Sequence, residues 1–70
     1  MNENKQAFVE GLGVILATFS REEIVRMSYD KDSDGFEAVT IDFGKGRSRT
    51  VNVTGDSCIA IMHDVYRALA

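Results

Sequence analysis

The sequence predicts an α+β domain of order α-β-β-β-α, in which a three-stranded antiparallel meander carries two helices on one face. Three observations predict it: apolar residues recur at helical spacing near both ends, they alternate with polar residues through the middle, and short turns rich in glycine and aspartate separate the alternating runs. An antiparallel sheet with one wettable face covers its other face with helices.

From Lys5 to Phe19, Phe8, Leu12, Ile15 and Phe19 form a stripe that Val9 and Leu16 widen, the pattern of a helix with one buried face. Gly11 and Gly13 interrupt it at a cost of about 1 kcal/mol each relative to alanine, which suits a helix only where a neighbour approaches the backbone closely. Ala7, Gly11, Val14 and Ala17 project from the other side as a smooth, small-residue face. Ser20-Arg21-Glu22-Glu23 has the spacing of a capping box, with Phe19 and Ile24 placed as a hydrophobic staple. The residues that follow alternate instead, Val25, Met27 and Tyr29 against Arg26, Ser28 and Asp30, so a turn and then a strand is expected.

The turn Asp30-Lys31-Asp32-Ser33-Asp34-Gly35 leads into a second strand, in which Val39, Ile41 and Phe43 alternate with Ala38, Thr40 and Asp42. Gly44-Lys45-Gly46-Arg47 is a tight turn into a third strand, where Val51 and Val53 alternate with polar residues. Thr54-Gly55-Asp56-Ser57 offers helix N-caps. From Cys58 the period is helical again: Cys58, Ile59, Ile61, Met62, Val65, Tyr66, Ala68 and Leu69 fill about half the circumference, opposite His63, Asp64 and Arg67. By period, the four phenylalanines and both tyrosines are core candidates, with Phe36 partly exposed beside the turn.

The 70 residues make one domain, 1–70. A chain of this length buries only about 60–65% of the surface exposed when unfolded, so a disulfide, a metal or a second subunit adds materially to its stability. An intrachain disulfide is excluded because Cys58 is the only cysteine, and a lone cysteine fits a reducing compartment. Met1-Asn2-Glu3-Asn4-Lys5 lacks the start of a signal peptide, and no stretch approaches the roughly 20 apolar residues of a membrane span, so a cytoplasmic protein without membrane contact is expected. Eight basic against eleven acidic side chains give a net charge of −3, which argues against nucleic acid.

Two turns are candidate binding sites. Asp30, Asp32 and Asp34 match the first, third and fifth ligand positions of a calcium loop, with Gly35 at the sharp turn, but the closing glutamate is replaced by Ile41 and strands flank the loop. With Glu37 they are expected to form an acidic, solvated surface, able to bind a cation weakly or to mimic an acidic ligand, and no metal site is predicted. Lys45, Arg47 and Arg49 around two glycines are the candidate site for an anionic partner. Catalytic residues and cofactors are not expected: Cys58 and His63 lie five residues apart on one helix and diverge by about 140°, too far to share a proton.

The order α-β-β-β-α resembles the double-stranded RNA-binding domain in topology. That family clusters lysines at the start of its last helix, whereas Gly55-Asp56-Ser57-Cys58-Ile59-Ala60-Ile61 carries an acid and no base, and three aspartates occupy the first inter-strand loop. The stretch with Val51-Asn52-Val53, Gly55-Asp56-Ser57, Ala60, Met62, Asp64-Val65 and Leu69 looks like the ending of small proteins encoded by bacteriophages and prophages of Gram-positive bacteria, mostly without known function. That resemblance implies a phage or prophage origin and supplies no catalytic residue. The expected function is a non-catalytic protein-interaction module that forms a homodimer through Gly11, Val14 and Ala17 and occupies a protein surface. The alternative is a nucleic-acid-binding protein that uses Lys45, Arg47 and Arg49.

Overall fold

A computed structural model describes residues 4–21 and 23–69, in the order α1 (Lys5–Phe19), β1 (Arg26–Lys31), β2 (Glu37–Gly44), β3 (Arg47–Asn52) and α2 (Cys58–Leu69). The three strands form one antiparallel sheet with β2 in the centre. Both helices contribute to a single core with the sheet: Val9 and Leu12 from α1 meet Met27, Val39, Ile41 and Val53, and Ile61 and Val65 from α2. The α-β-β-β-α class expected from the periodicity is therefore the fold.

Local chemistry sets the element ends. Asn4 caps α1 by accepting a hydrogen bond from the Ala7 N–H at 3.0 Å, and Ser57 caps α2 by accepting one from Ala60 at 3.2 Å. At the other end of α1, the Ser20 N–H closes the last turn on the Leu16 carbonyl at 2.7 Å. Residues 23–25 lead without helix into β1; the capping-box residue Glu22 lies outside the described residues, and of the staple pair Ile24 is buried while Phe19 is 78% exposed. The β2–β3 hairpin turns on Lys45 and Gly46, both at positive φ (56° and 76°), the geometry whose twist matches that of paired strands.

Strand register separates the two faces of the sheet. Ser28, Thr40 and Thr50 lie opposite one another across the three strands, as do Asp30, Ala38 and Asn52, and these rows form the polar face turned from the helices. Met27 pairs with Ile41, and Tyr29 with Val39 and, beyond it, Val51, on the covered face.

The first helix is rotated from the expected stripe. Val9, Leu12 and Gly13 are buried and Leu16 packs beside them, while Ile15 and Phe19 stand in solvent. Gly13 decides the rotation: a Cβ there would lie 3.0 Å from the Met27 Cβ and 3.2 Å from the Met27 backbone nitrogen, so only glycine lets α1 approach β1 this closely. Gly11 has no such neighbour within 4 Å. Gly13→Leu is accordingly expected to lower stability by about 1–3 kcal/mol through overpacking. Gly11→Ala should raise it by about 0.5–1 kcal/mol through helix propensity alone. Urea midpoints of the two variants should move in opposite directions.

Candidate functional site

Several charged groups of this chain are committed to its own structure. Glu37, expected on the acidic surface, is only 6% exposed and belongs instead to the core side of β2, in phase with Val39, Ile41 and Phe43. Its Oε2 accepts hydrogen bonds from Lys5 Nζ at 2.8 Å and from the Tyr29 hydroxyl, and its Oε1 accepts one from the Gly55 N–H at 3.0 Å. The Thr54 hydroxyl accepts from the Glu37 N–H at 2.9 Å, and the Glu37 carbonyl accepts from the Val53 N–H at 2.9 Å. One residue thus ties α1, β1, β2 and the turn before α2 together.

The electrostatics follow from these contacts. The Lys5 ammonium, then the Tyr29 hydroxyl and the Gly55 N–H, hold the Glu37 carboxyl down at about 2. Burial, and then the hydrogen bond to Glu37, push the Tyr29 hydroxyl up to about 12. Asp56 is raised from its ordinary value by hydrogen bonding with the Asp64 carboxyl and by burial, and its Oδ2 has no hydrogen-bond partner among the described residues.

The remaining acidic turn holds itself. Asp32 Oδ1 accepts from the backbone N–H groups of Asp34 and Phe36 at 2.9 and 3.0 Å, which uses the central carboxylate to shape the hairpin. Asp30 sits on the polar sheet face opposite Ala38. Among the described residues no group of three or more acidic, histidine or cysteine side chains is placed to hold a metal ion.

The basic residues do not form one patch at the turn. Lys45 is at the hairpin tip, the Arg47 guanidinium lies 5.7 Å from the Phe43 ring centroid, and Arg49, opposite Ile41, donates to the Ala68 carbonyl in the last turn of α2. A cation there satisfies the helix C-terminus and its dipole. Cys58 is half-buried and His63 exposed, on the diverging helix positions expected of them.

The feature missed by periodicity lies between the helices. Leu12, Ile15 and Leu16 of α1 and Met62, His63, Tyr66 and Arg67 of α2 line a largely apolar groove of about 520 Å³. Tyr66, expected in the core, is 67% exposed. Ile59 and Phe19, also exposed, extend the same helix faces beyond the groove by their spacing. The Phe8, Leu12, Ile15, Phe19 stripe is therefore divided: Phe8 and Leu12 pack with the core, Ile15 lines the groove beside α2, and Phe19 is exposed. Gly11, Val14 and Ala17 are all exposed on the outer side of α1, where Val14 and Ala17 border a more polar depression of about 500 Å³ against the edge strand β1.

No helix among the described residues is long and apolar enough to cross a membrane. The chain matches no protein-family model, no curated protein and no solved structure.

Proposed function

We propose that this chain is a non-catalytic protein-interaction module, of phage or prophage origin and cytoplasmic, that self-associates and acts by occupying a protein surface. One observation carries the reading: large apolar side chains stand exposed side by side on the helix layer, while Asp32, Arg49, Lys5 and Glu37 are engaged in a hairpin, a helix end and a core ion pair. Contiguous exposed apolar surface marks interaction sites. The basic hairpin offers little to a polyanion, since Arg49 is drawn to the end of α2 and the chain as a whole is negative.

Light scattering on the purified chain at high micromolar concentration is expected to give a mass above the 7.7 kDa of one copy. Fluorescence anisotropy with generic DNA and RNA is expected to show no binding at physiological salt. Low-micromolar affinity that falls steeply with salt and disappears when Lys45, Arg47 and Arg49 are all changed to glutamate would replace this reading with nucleic-acid binding.

A further inference from the structure

We infer that a second copy of this chain adds to the open edge of β1, strand β1 against strand β1 about a two-fold axis at Ser28, so that one sheet continues into the other. The inference rests on the self-association reading and assigns its surface, leaving the exposed residues of the helix layer to the protein surface that the module occupies.

Backbone parity defines the kind of occupant. β1 lies at the edge of the sheet and pairs with β2 alone. The Asp32 N–H donates to the Phe36 carbonyl at 3.0 Å, in the register that continues Asp30 with Ala38 and Ser28 with Thr40. Antiparallel hydrogen bonds skip every second residue, so Arg26, Ser28 and Asp30 bond to β2, and the N–H and C=O groups of Met27 and Tyr29 point away from the sheet. No described strand lies beside them there. A row of outward backbone donors and acceptors is the template for another extended strand.

Charge identifies whose strand it is. Antiparallel pairing through Met27 and Tyr29, with Ser28 on the axis, sets Met27 opposite the partner copy's Tyr29 on the covered face and Arg26 opposite the partner copy's Asp30 on the polar face. Symmetry makes each pair twice. Arg26 and Asp30 are both exposed and so can meet across the seam; such ion pairs add little affinity and fix the register. The neighbouring registers that the hydrogen bonds allow, with the axis at Met27 or at Tyr29, set Ser28 against Arg26 or against Asp30 and lose the match. The opposite edge of the sheet is not complementary to itself: β3 carries Arg47 and Arg49 and no acid, and Arg49 is bonded to the end of α2. On the helix side, Val14 and Ala17 border the depression beside the β1 edge, so the small-residue face of α1 flanks the seam.

Sedimentation equilibrium on the wild type, Arg26→Asp, Asp30→Arg and Tyr66→Glu tests the assignment, with far-ultraviolet circular dichroism to follow folding. The wild type and Tyr66→Glu should be dimers of equal affinity. Arg26→Asp and Asp30→Arg should each dissociate about 10-fold more readily, because two like-charge pairs replace two opposite ones, and an equimolar mixture of the two variants should recover the wild-type affinity, because each charge then meets its opposite. In a mixed sample of isotope-labelled and unlabelled wild type, an intermolecular nuclear Overhauser contact should join the Hα of Arg26 to the Hα of Asp30, a measurement that decides the matter even if a variant fails to fold. A dimer lacking that contact, or one in which the two charge variants associate as well alone as mixed, overturns the edge assignment and leaves self-association standing. A wild type that remains monomeric overturns both.

Discussion

Glu37→Ala is expected to lower the melting temperature by on the order of 10 °C, more than any other polar substitution in this chain, because breaking a buried pair leaves its partners uncompensated. The substitution strands the Lys5 ammonium and the Tyr29 hydroxyl and removes the acceptor of the Gly55 N–H at the turn into α2. The pH dependence carries a matching signature. The folded-state value of Glu37, about 2, lies below its ordinary 4.5, so its contribution is complete above pH 4.5 and is lost as pH falls through about 2. Asp56 is shifted the other way: it takes up a proton more readily when folded, so its protonation favours the folded state. Stability should drop as pH falls from 4.5 to about 2. Urea midpoints across that range should show the drop in the wild type and a flat response there in Glu37→Gln. A wild type as stable at pH 2 as at pH 5 would contradict the role given to this carboxylate.

Truncating the core beneath α2 is the second large effect. Ile61 is fully buried between α2 and the sheet, and Ile61→Ala should cost about 3 kcal/mol, since a site ringed by other core side chains collapses only partly. For a domain of this length total stability is roughly 4–10 kcal/mol, so the variant approaches the unfolding threshold. Under the self-association proposed above, a second copy binds only the folded chain, so the variant's melting temperature should rise with protein concentration. Thermal melts of Ile61→Ala at concentrations on either side of the dimer dissociation constant should differ by several degrees. Coincident melts would separate folding from association.

Much of the architecture was legible because period-2 and period-3.6 patterns depend on local sequence alone. Val39, Ile41 and Val53 were placed on the covered face and Ser28, Thr40 and Thr50 on the open one by alternation, and the register agrees. The first helix was harder for a physical reason. It carries two overlapping stripes, Val9-Leu12-Gly13-Leu16 and Phe8-Leu12-Ile15-Phe19, and hydrophobicity favours the bulkier one. The sheet selected the other, because close approach at Gly13 brings α1 nearer to Met27 than a side chain would allow. Glu37 was misassigned by proximity to the acidic turn. The signal that could have placed it was its phase with Val39, Ile41 and Phe43, which put a carboxylate on an apolar face in need of a partner. That the partner is Lys5, 32 residues earlier, depends on tertiary packing no local pattern reports. The inter-helix groove was illegible for the same reason, since which half of the apolar arc of α2 meets the sheet is a property of the assembled layers.

The one-sided cover of the sheet bears on how far assembly can proceed. Were two copies joined through their helix layers instead of their β1 edges, they would stack as sheet, helices, helices, sheet, with the serine, threonine and asparagine rows of both sheets on the outside. Such a particle presents water-compatible sheet faces in both directions along the stacking axis, so growth along that axis would stop at two, while Val14, Val25 and Phe36 and the open edges of β1 and β3 stay outside the contact.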